Sequence, residues 1–223
     1  MKILFLEARN DIQLKRIKNI EILPTKIGLL GIVQYADQLQ KLKETLENSG
    51  KEVIFGKSAK TKNVGQILGC DIKAAESIED RVDAFLFLGD GLFHPRMLLL
   101  KLKKPVFFLS PTKNKIYQLK DSDLKRIKIK QKTATIKYLS SKEIGIIVSI
   151  KPGQNQTKAA ILLKEKLRKQ GKNAYLLIAD TVDYQQLENF PFIECFVNTA
   201  CPRIALDDYE AIKKPILNID DVP

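Results

Sequence analysis

The chain has 223 residues, of which 44% are hydrophobic and 29% charged, and its formal net charge is +12. The apolar fraction excludes a largely disordered chain, and the length suits one or two domains. No apolar run reaches the roughly 18 residues of a membrane span, and the N-terminal run is too short for a secretory signal peptide.

The first half of the sequence predicts strands alternating with helices. Short apolar runs typical of buried strands lie at residues 27–34, 52–55, 82–88 and 103–109. Between the first two runs, leucines spaced for one helix face occur at Leu39, Leu42 and Leu46. Gly50 then stands where a helix C-cap belongs.

The second half repeats this pattern, with apolar runs at residues 144–151, 174–178, 193–198 and 213–219. The helix between its first two runs is predicted to bury Ile161, Leu162, Leu163 and Leu167 and to end at Gly171. Alternating strands and helices imply parallel sheets covered on both faces. The predicted fold class is therefore α/β, with two similar doubly wound parallel-sheet domains that arose by internal duplication. We place these domains at residues 20–115 and 140–223, with residues 1–19 before them and a basic linker at 116–139.

A basic segment joins the two predicted domains. Residues 113–142 hold ten Lys or Arg against two Asp, and the alternation at residues 126–130 predicts a strand with its charges on one face. Such a stripe can bind phosphates or an acidic partner, and it can equally be a solvated surface. Its aromatic residues, Tyr117 and Tyr138, do not form the stacking platform of single-strand binders, so we do not expect a nucleic-acid partner.

The unusual residues of the chain cluster just past the predicted strand ends. These segments are residues 34–35, 89–95, 151–154 and 198–203, and they include the only histidine, His94. Parallel α/β sheets bind ligands outside the carboxyl ends of their strands. The functional site is therefore predicted to lie there.

The three cysteines favour metal or redox chemistry in a reducing, cytoplasmic compartment over a disulfide framework. Cys70 and Cys201 lie in loops, one in each domain, whereas Cys195 lies inside a predicted strand. Six residues of extended chain place Cys195 about 20 Å from Cys201, too far to share a metal, so Cys195 is predicted to be a core residue. Because the sequence has no CxxC and no Cys/His cluster, spacing alone makes a metal shared by Cys70 and Cys201 a weak hypothesis.

Four segments, in order, resemble the diphthamide synthase family, the 2-(3-amino-3-carboxypropyl)histidine synthases of archaea and eukaryotes. They are residues 65–70, 82–95, 151–154 and 198–208. The resemblance implies a noncanonical radical S-adenosylmethionine (SAM) enzyme, in which three α/β domains each give one Cys to a [4Fe–4S] cluster. SAM occupies the fourth cluster site, and its 3-amino-3-carboxypropyl group adds as a radical to a histidine of elongation factor 2. By this resemblance, Cys70 and Cys201 are cluster ligands.

The sequence departs from the family in lacking a counterpart of the first domain and its Cys. Residues 1–9 look like the closing strand of that domain, and Tyr35 stands where the family pattern has His. We expect a split, archaeal subunit completed by a separate chain that carries the first domain and the third cluster Cys. A degenerate copy is the alternative, although a decaying copy would be expected to lose its Cys motifs. The resemblance also implies a homo- or heterodimer and elongation factor 2 as the protein substrate, with no membrane partner.

Other residues of these segments are candidates for binding SAM or acting on the substrate. Gln154 could hydrogen-bond the SAM carboxylate or amine, and Arg203 could clamp the carboxylate with two hydrogen bonds. Asp207 could pair with the amine or with Arg203. His94 could act as an acid or base or orient the substrate. Each of these side chains can equally be a loop, cap or turn residue.

Two other functions are compatible with the sequence. One is a cluster-binding accessory subunit that supports electron delivery in a heteromer. The other is a metal-free two-domain binding protein or a glycosyltransferase-like protein, which the architecture alone permits.

Overall fold

The computed structural model describes residue 4 and residues 6–223, apart from the side chains of residues 209 and 210. The chain forms two compact units, one ending at Leu124 and the other beginning at Lys125. This boundary falls inside the predicted linker, and the domain limits drawn from the sequence stay a prediction. The closing strand predicted over residues 1–9 includes residues 1–3 and 5, which lie outside the described residues.

The first unit is built on one sheet. Its strands are β1 (Lys26–Gly31), β2 (Glu52–Ile54), β3 (Ala84–Leu88), β4 (Val106–Ser110) and β5 (Lys115–Gln118), and its helices are α1 (Ala36–Asn48), α2 (Lys73–Glu76) and α3 (Phe93–Lys101). The sheet order is β2-β1-β3-β4-β5, in which β5 pairs antiparallel with β4 and the other pairs are parallel. Alternate residues of β3 point to opposite faces, so Leu86 and Leu88 join the core under α1 while Phe85 and Phe87 join the core of the other face.

The second unit has the same plan. Its strands are β6 (Glu143–Ser149), β7 (Asn173–Ala179), β8 (Cys195–Asn198) and β9 (Ile216–Asn218), and its helices are α4 (Lys125–Ser140), α5 (Thr157–Lys169) and α6 (Arg203–Leu206). These strands are all parallel, in the order β7-β6-β8-β9. Helices α4 and α5 pack on one face of the sheet, and α6 packs on the other.

The predicted α/β fold class is confirmed, and detailed packing supports the internal duplication. Gly28 in β1 pairs with Phe85, and Gly145 in β6 pairs with Phe196. A Cβ at either glycine would lie 2.6 Å from the Cδ1 atom of its aromatic partner. Both strands therefore need glycine there, because the aromatic ring of the neighbouring strand occupies the place of a side chain.

The equivalent helices α1 and α5 also end alike. Each has 13 residues, and Gly50 and Gly171 follow them with φ of 79° and 73°. Glycine adopts this left-handed conformation at no steric cost, and it allows the backbone to leave the helix. Both predicted helix ends are confirmed.

The predicted buried face of α1 is confirmed, but that of α5 is partly wrong. Leu163 and Leu167 are buried, whereas Ile161 is 43% and Leu162 66% exposed. Three consecutive residues span about 200° of a helix, so residues 161–163 cannot share one face. Ala160 completes the buried stripe instead.

The strand predicted at residues 126–130 is wrong, because these residues begin α4. A two-residue alternation over five positions is too short to decide against a helix. The helix buries Ile127, Ala134 and Tyr138 at spacings of one helical face, and Ile129 is 55% exposed. The longer period, not the local alternation, therefore determines the structure of the basic segment.

Candidate functional site

Cys70 lies in a tight turn that is fastened to the carboxyl end of β1. Leu68 and Asp71 exchange backbone hydrogen bonds of 2.9 and 3.1 Å across the two residues between them. Just before this turn, the N–H of Ile67 donates to the carbonyl of Gly31, the last residue of β1, at 2.9 Å. The turn therefore holds Cys70 exposed at the predicted edge of the sheet.

Side chains around the turn fix its position. Asp71 is buried, and its carboxylate accepts hydrogen bonds from the Ser58 hydroxyl and, at 3.0 Å, from the backbone N–H of Lys73. A Cβ at Gly69 would lie 2.6 Å from Cε1 of Phe93. Glycine therefore allows the turn to rest directly on that aromatic ring.

His94 belongs to the same local packing as the Cys70 turn. It is half-buried near the start of α3, one residue after Phe93. Its ring stacks on Phe87 with a centroid separation of 5.6 Å, and it meets Phe93 edge-on at 5.1 Å. These contacts orient the imidazole, and its catalytic role stays a prediction.

Tyr35 joins the ends of two neighbouring strands. It lies in the 3₁₀ turn after β1, and its hydroxyl donates to the carboxylate of Asp90, which follows β3. Burial, together with the hydrogen bond and charge of Asp90, raises the pKa of Tyr35 to about 12. The pair keeps a neutral phenol where the family pattern suggested a histidine.

Cys201 lies three residues after β8 and is half-buried. Its backbone carbonyl accepts hydrogen bonds from Nδ2 of Asn198 at 2.9 Å and from the N–H of Ile204 at 3.1 Å. Nδ2 of Asn198 also donates, at 2.7 Å, to Asn218, which lies opposite in β9. Two paired asparagines at adjacent strand ends thus fix the loop that carries this thiol.

Charged and phenolic side chains lie near Cys201. The Tyr184 hydroxyl donates to Asp208 at 2.8 Å. Burial, then the hydrogen bond and charge of Asp208, raise the pKa of Tyr184 to about 12, while Cys201 adds to this rise and Arg203 opposes it. Arg203 also forms a 3.2 Å ion pair with Asp207. The structure therefore brings the predicted residues Cys201, Arg203 and Asp207 together.

Gln154 lies in a turn after β6. Its backbone N–H donates to the carbonyl of Lys151 at 3.0 Å, and Gly153 has a φ of 80°. Pro152 followed by a left-handed glycine is typical of a type II turn. Because β6 and β8 are adjacent and parallel, Gln154 and Cys201 follow neighbouring strand ends.

The prediction that Cys195 is a core residue is confirmed. It is fully buried in β8, and its sulfur lies 4.0 Å from the carbonyl oxygen of Ala134 in α4. Burial raises the pKa of this thiol to about 12. Since the thiolate is the form that binds metals, Cys195 is a poor candidate ligand.

The described residues include thiols, the type of group that ligates an iron–sulfur cluster, but not a complete set of ligands for one. Thiolates are the usual ligands of iron–sulfur clusters, and Cys70 and Cys201 present theirs outside strand ends. Across residues 4 and 6–223, no group of three or more His, Cys, Asp or Glu side chains is placed to hold a metal ion. In the same part of the chain, no helix is long and apolar enough to cross a membrane.

Comparison with known proteins identifies the family. Residues 1–222 match the family described as "Putative diphthamide synthesis protein". The chain belongs to this family. Within this diphthamide synthesis family, the 2-(3-amino-3-carboxypropyl)histidine synthase of Pyrococcus horikoshii is 36% identical over 93% of this chain and 59% of the relative. Subunit 1 of the corresponding synthase of Kluyveromyces lactis is 26% identical over 86% of this chain and 46% of the relative.

Solved structures of the diphthamide synthesis family share the fold. Dph2 of Pyrococcus horikoshii, crystallised with a 4Fe-4S cluster, matches with a TM-score of 0.80 and 33% identity, over 91% of this chain and 57% of that one. A second structure of Dph2 matches with a TM-score of 0.81. The chain thus spans roughly half to three fifths of the length of these relatives. The family resemblance read from the four motifs is confirmed.

Sequence reasoning missed Tyr184 and Asn218 near Cys201. Asn218 had a detectable signal, because a polar residue closes an otherwise apolar strand run next to the motif strand. Tyr184 had none, since it lies in an irregular loop 24 residues before its partner Asp208. Only the fold brings that pair together.

Proposed function

We propose that this chain is part of a diphthamide synthase, which transfers the 3-amino-3-carboxypropyl group of SAM to a histidine of elongation factor 2. The observation that supports it is family membership combined with two thiols, Cys70 and Cys201, each presented by a hydrogen-bonded segment beyond a strand end. Both thiolates would ligate a [4Fe–4S] cluster. The third thiolate would come from outside these 223 residues, because the remaining cysteine, Cys195, is buried in the core.

Residues near Cys201 have the chemistry to bind SAM. Arg203 would hold the carboxylate, while Asp207 would orient the guanidinium or accept from the amine. Gln154, at the adjacent strand end, would donate to or accept from the same amino-acid group. Near Cys70, His94 would orient the acceptor or exchange a proton with it. When bound, the cluster would supply the electron that cleaves SAM.

The transfer reaction tests this function. The chain is mixed anaerobically with elongation factor 2, labelled SAM and a reductant, with and without the part of the Pyrococcus horikoshii synthase that it does not cover. We expect label in elongation factor 2 only when both chains are present. Cys70→Ser and Cys201→Ser should each abolish the transfer, and Cys195→Ala should preserve it. Label transferred equally by the Cys70→Ser chain would refute the proposal.

An accessory role in electron delivery is the second candidate, since the described residues offer two accessible thiols. In that role the chain would join an intact synthase as the other half of a heterodimer. It should then raise the transfer rate when a physiological reductant replaces dithionite. No effect on an intact synthase, together with transfer by the split mixture, would exclude this role.

A further inference from the structure

Arg9 connects three parts of the first unit through one guanidinium group. Its Nη1 atom donates at 2.9 Å to the carboxylate of Asp37, in the first turn of α1. Its Nη2 atom donates to Oε2 of Glu7 at 2.6 Å and to Oδ1 of Asn63 at 3.3 Å. The side chain of Arg9 is only 31% exposed. A single side chain therefore joins the N-terminal segment, α1 and the loop that precedes the Cys70 turn.

The backbone that carries Arg9 is held in place by its own hydrogen bonds. The N–H of Asn10 donates at 2.8 Å to the carbonyl of Gln34, in the 3₁₀ turn after β1. The buried amide of Gln38 donates from Nε2 to the carbonyls of Asn10 and Ile12, at 2.5 and 3.1 Å. Because these bonds hold the segment against α1 and the end of β1, the guanidinium of Arg9 starts from a fixed position.

Asn63 extends this contact towards Cys70. Its Nδ2 atom and its backbone N–H both donate to Oε1 of Gln66, at 2.9 and 3.2 Å. Gln66 is buried and forms a bridge with Gly31, the last residue of β1. Cys70 follows four residues after Gln66. A continuous path of hydrogen bonds therefore leads from Arg9 to the start of the Cys70 turn.

The loop that contains this path needs contacts of this kind to hold its position. Residues 55–72, between β2 and α2, include no helix and only isolated bridges. Structureless loops of this length are usually functional or disordered. The Ser58–Asp71 hydrogen bond ties the loop to itself, whereas the Arg9–Asn63 hydrogen bond ties it to residues outside it. Arg9 therefore acts on the placement of the whole loop.

We propose that Arg9 is a positioning residue for Cys70, which it holds in place through Asn63 and Gln66. The inference rests on the proposed function for the role of Cys70 as a cluster ligand. Arginine suits this task because its planar fork donates in several directions at once, whereas the ammonium of lysine is a single point charge. Groups that orient a metal ligand commonly change affinity or activity 10–100-fold when they are removed.

Amide hydrogen exchange of the full chain, without cluster or SAM, tests whether Arg9 holds the turn. In Arg9→Gln, we expect the N–H groups of Gln66, Ile67 and Leu68 to exchange about fivefold faster, because a partly exposed ion pair is of modest strength. Arg9→Lys should exchange nearly as fast as Arg9→Gln, since lysine keeps the charge but not the fork. Exchange in the second unit should not change.

Two further substitutions check the path. Arg16→Gln, at an exposed arginine of the same N-terminal segment, is the matched control and should leave exchange unchanged. Asn63→Ala should speed exchange at least as much as Arg9→Gln, and adding Arg9→Gln to it should have no further effect, because both substitutions break the same path. Unchanged exchange in Arg9→Gln, an additive double variant, or faster exchange spread evenly over both units would each overturn the proposal.

The transfer assay of the proposed function tests the consequence for chemistry. Arg9→Gln should lower kcat about tenfold and leave KM for elongation factor 2 unchanged, because the substitution moves a cluster ligand and not the protein substrate. Faster local exchange together with a wild-type kcat would overturn the positioning role. If the wild-type mixture transfers no label, the proposed function fails, whereas hydrogen exchange still decides whether Arg9 holds the Cys70 turn.

Discussion

Two tyrosine–aspartate pairs, one in each unit, lie beyond the strand ends where the candidate cysteines are held. Tyr35 donates to Asp90, and Tyr184 donates to Asp208. In both cases burial is the main cause that raises the tyrosine pKa to about 12, and the aspartate adds to it. Because the phenol stays neutral, each pair can act as a fixed hydrogen bond rather than as a proton carrier at neutral pH.

Tyr184→Phe tests the second pair. Losing the hydrogen bond should lower the free energy of unfolding by about 1 kcal/mol at neutral pH. Because the pKa of Tyr184 is higher in the folded state, the neutral phenol stabilises the fold fully below pH 10.0, the ordinary pKa of tyrosine. This stabilisation is lost as pH rises towards about 12. The difference in the free energy of unfolding between wild type and Tyr184→Phe should therefore shrink over that pH range, as measured by urea unfolding. An undiminished difference at high pH would contradict this, and Tyr117→Phe, at an exposed tyrosine, is the control.

At the scale of elements, β6 and β8 pack closely through a glycine and an aromatic ring. A Cβ at Gly145 would lie 2.6 Å from Phe196 and 2.9 Å from Ile193. Gly145→Ala should therefore destabilise the second unit by about 1–3 kcal/mol through overpacking. Urea unfolding in a Phe196→Leu background should show a smaller cost, because the ring that collides has been removed. An equal cost in both backgrounds would exclude the ring as the cause.

Glu194 ties three elements of the second unit together. Its carboxylate accepts from the backbone N–H of Lys142 at 2.7 Å and of Glu143 at 3.2 Å, and from Nζ of Lys137 at 3.0 Å. The two backbone hydrogen bonds are the main cause that lowers the pKa of Glu194 from 4.5 to about 2. A lowered pKa stabilises the fold above the ordinary value, and this stabilisation is lost as pH falls through the folded value.

Glu194→Gln should thus be less stable than wild type at neutral pH, and the two should converge as pH falls from about 4.5 towards 2. Urea unfolding at stepped pH measures the convergence. Glu188→Gln is a matched control, since Glu188 has an exposed ion pair with Lys213. A constant difference in the free energy of unfolding between Glu194→Gln and wild type at all pH values would contradict the lowered pKa of Glu194.

At the scale of the whole molecule, each unit has its own cores on both faces of its sheet. Residues 125–223 include α4, whose Ala134 and Tyr138 complete the core of the second unit. We therefore expect this fragment to fold alone and unfold cooperatively, whereas a fragment that begins at residue 140 should not. Circular dichroism during thermal unfolding checks both fragments. Equal stability of the two would show that α4 contributes nothing to that core.

The regular elements were predictable because the spacing of apolar residues along the sequence matches the period of a buried strand or of a helix face. The apolar runs of β3 and β6, and the leucine stripe of α1, have no rival interpretation. The α4 segment was misread because five alternating residues fit a strand, while its burial follows a helix period over 16 residues. Motifs located Cys70 and Cys201, but the Asn198–Asn218 and Tyr184–Asp208 bonds depend on strand register and loop paths that local sequence does not specify.

The central claim, that Cys70 and Cys201 are two of the three protein ligands of one [4Fe–4S] cluster, is tested most directly by anaerobic reconstitution. Iron and sulfide are measured per chain, with and without the part of the Pyrococcus horikoshii synthase that this chain does not cover. The account predicts about four irons per pair of chains in the mixture, little iron in this chain alone, and loss of the cluster in both Cys70→Ser and Cys201→Ser but not in Cys195→Ala. A full cluster that survives in either serine variant would contradict it.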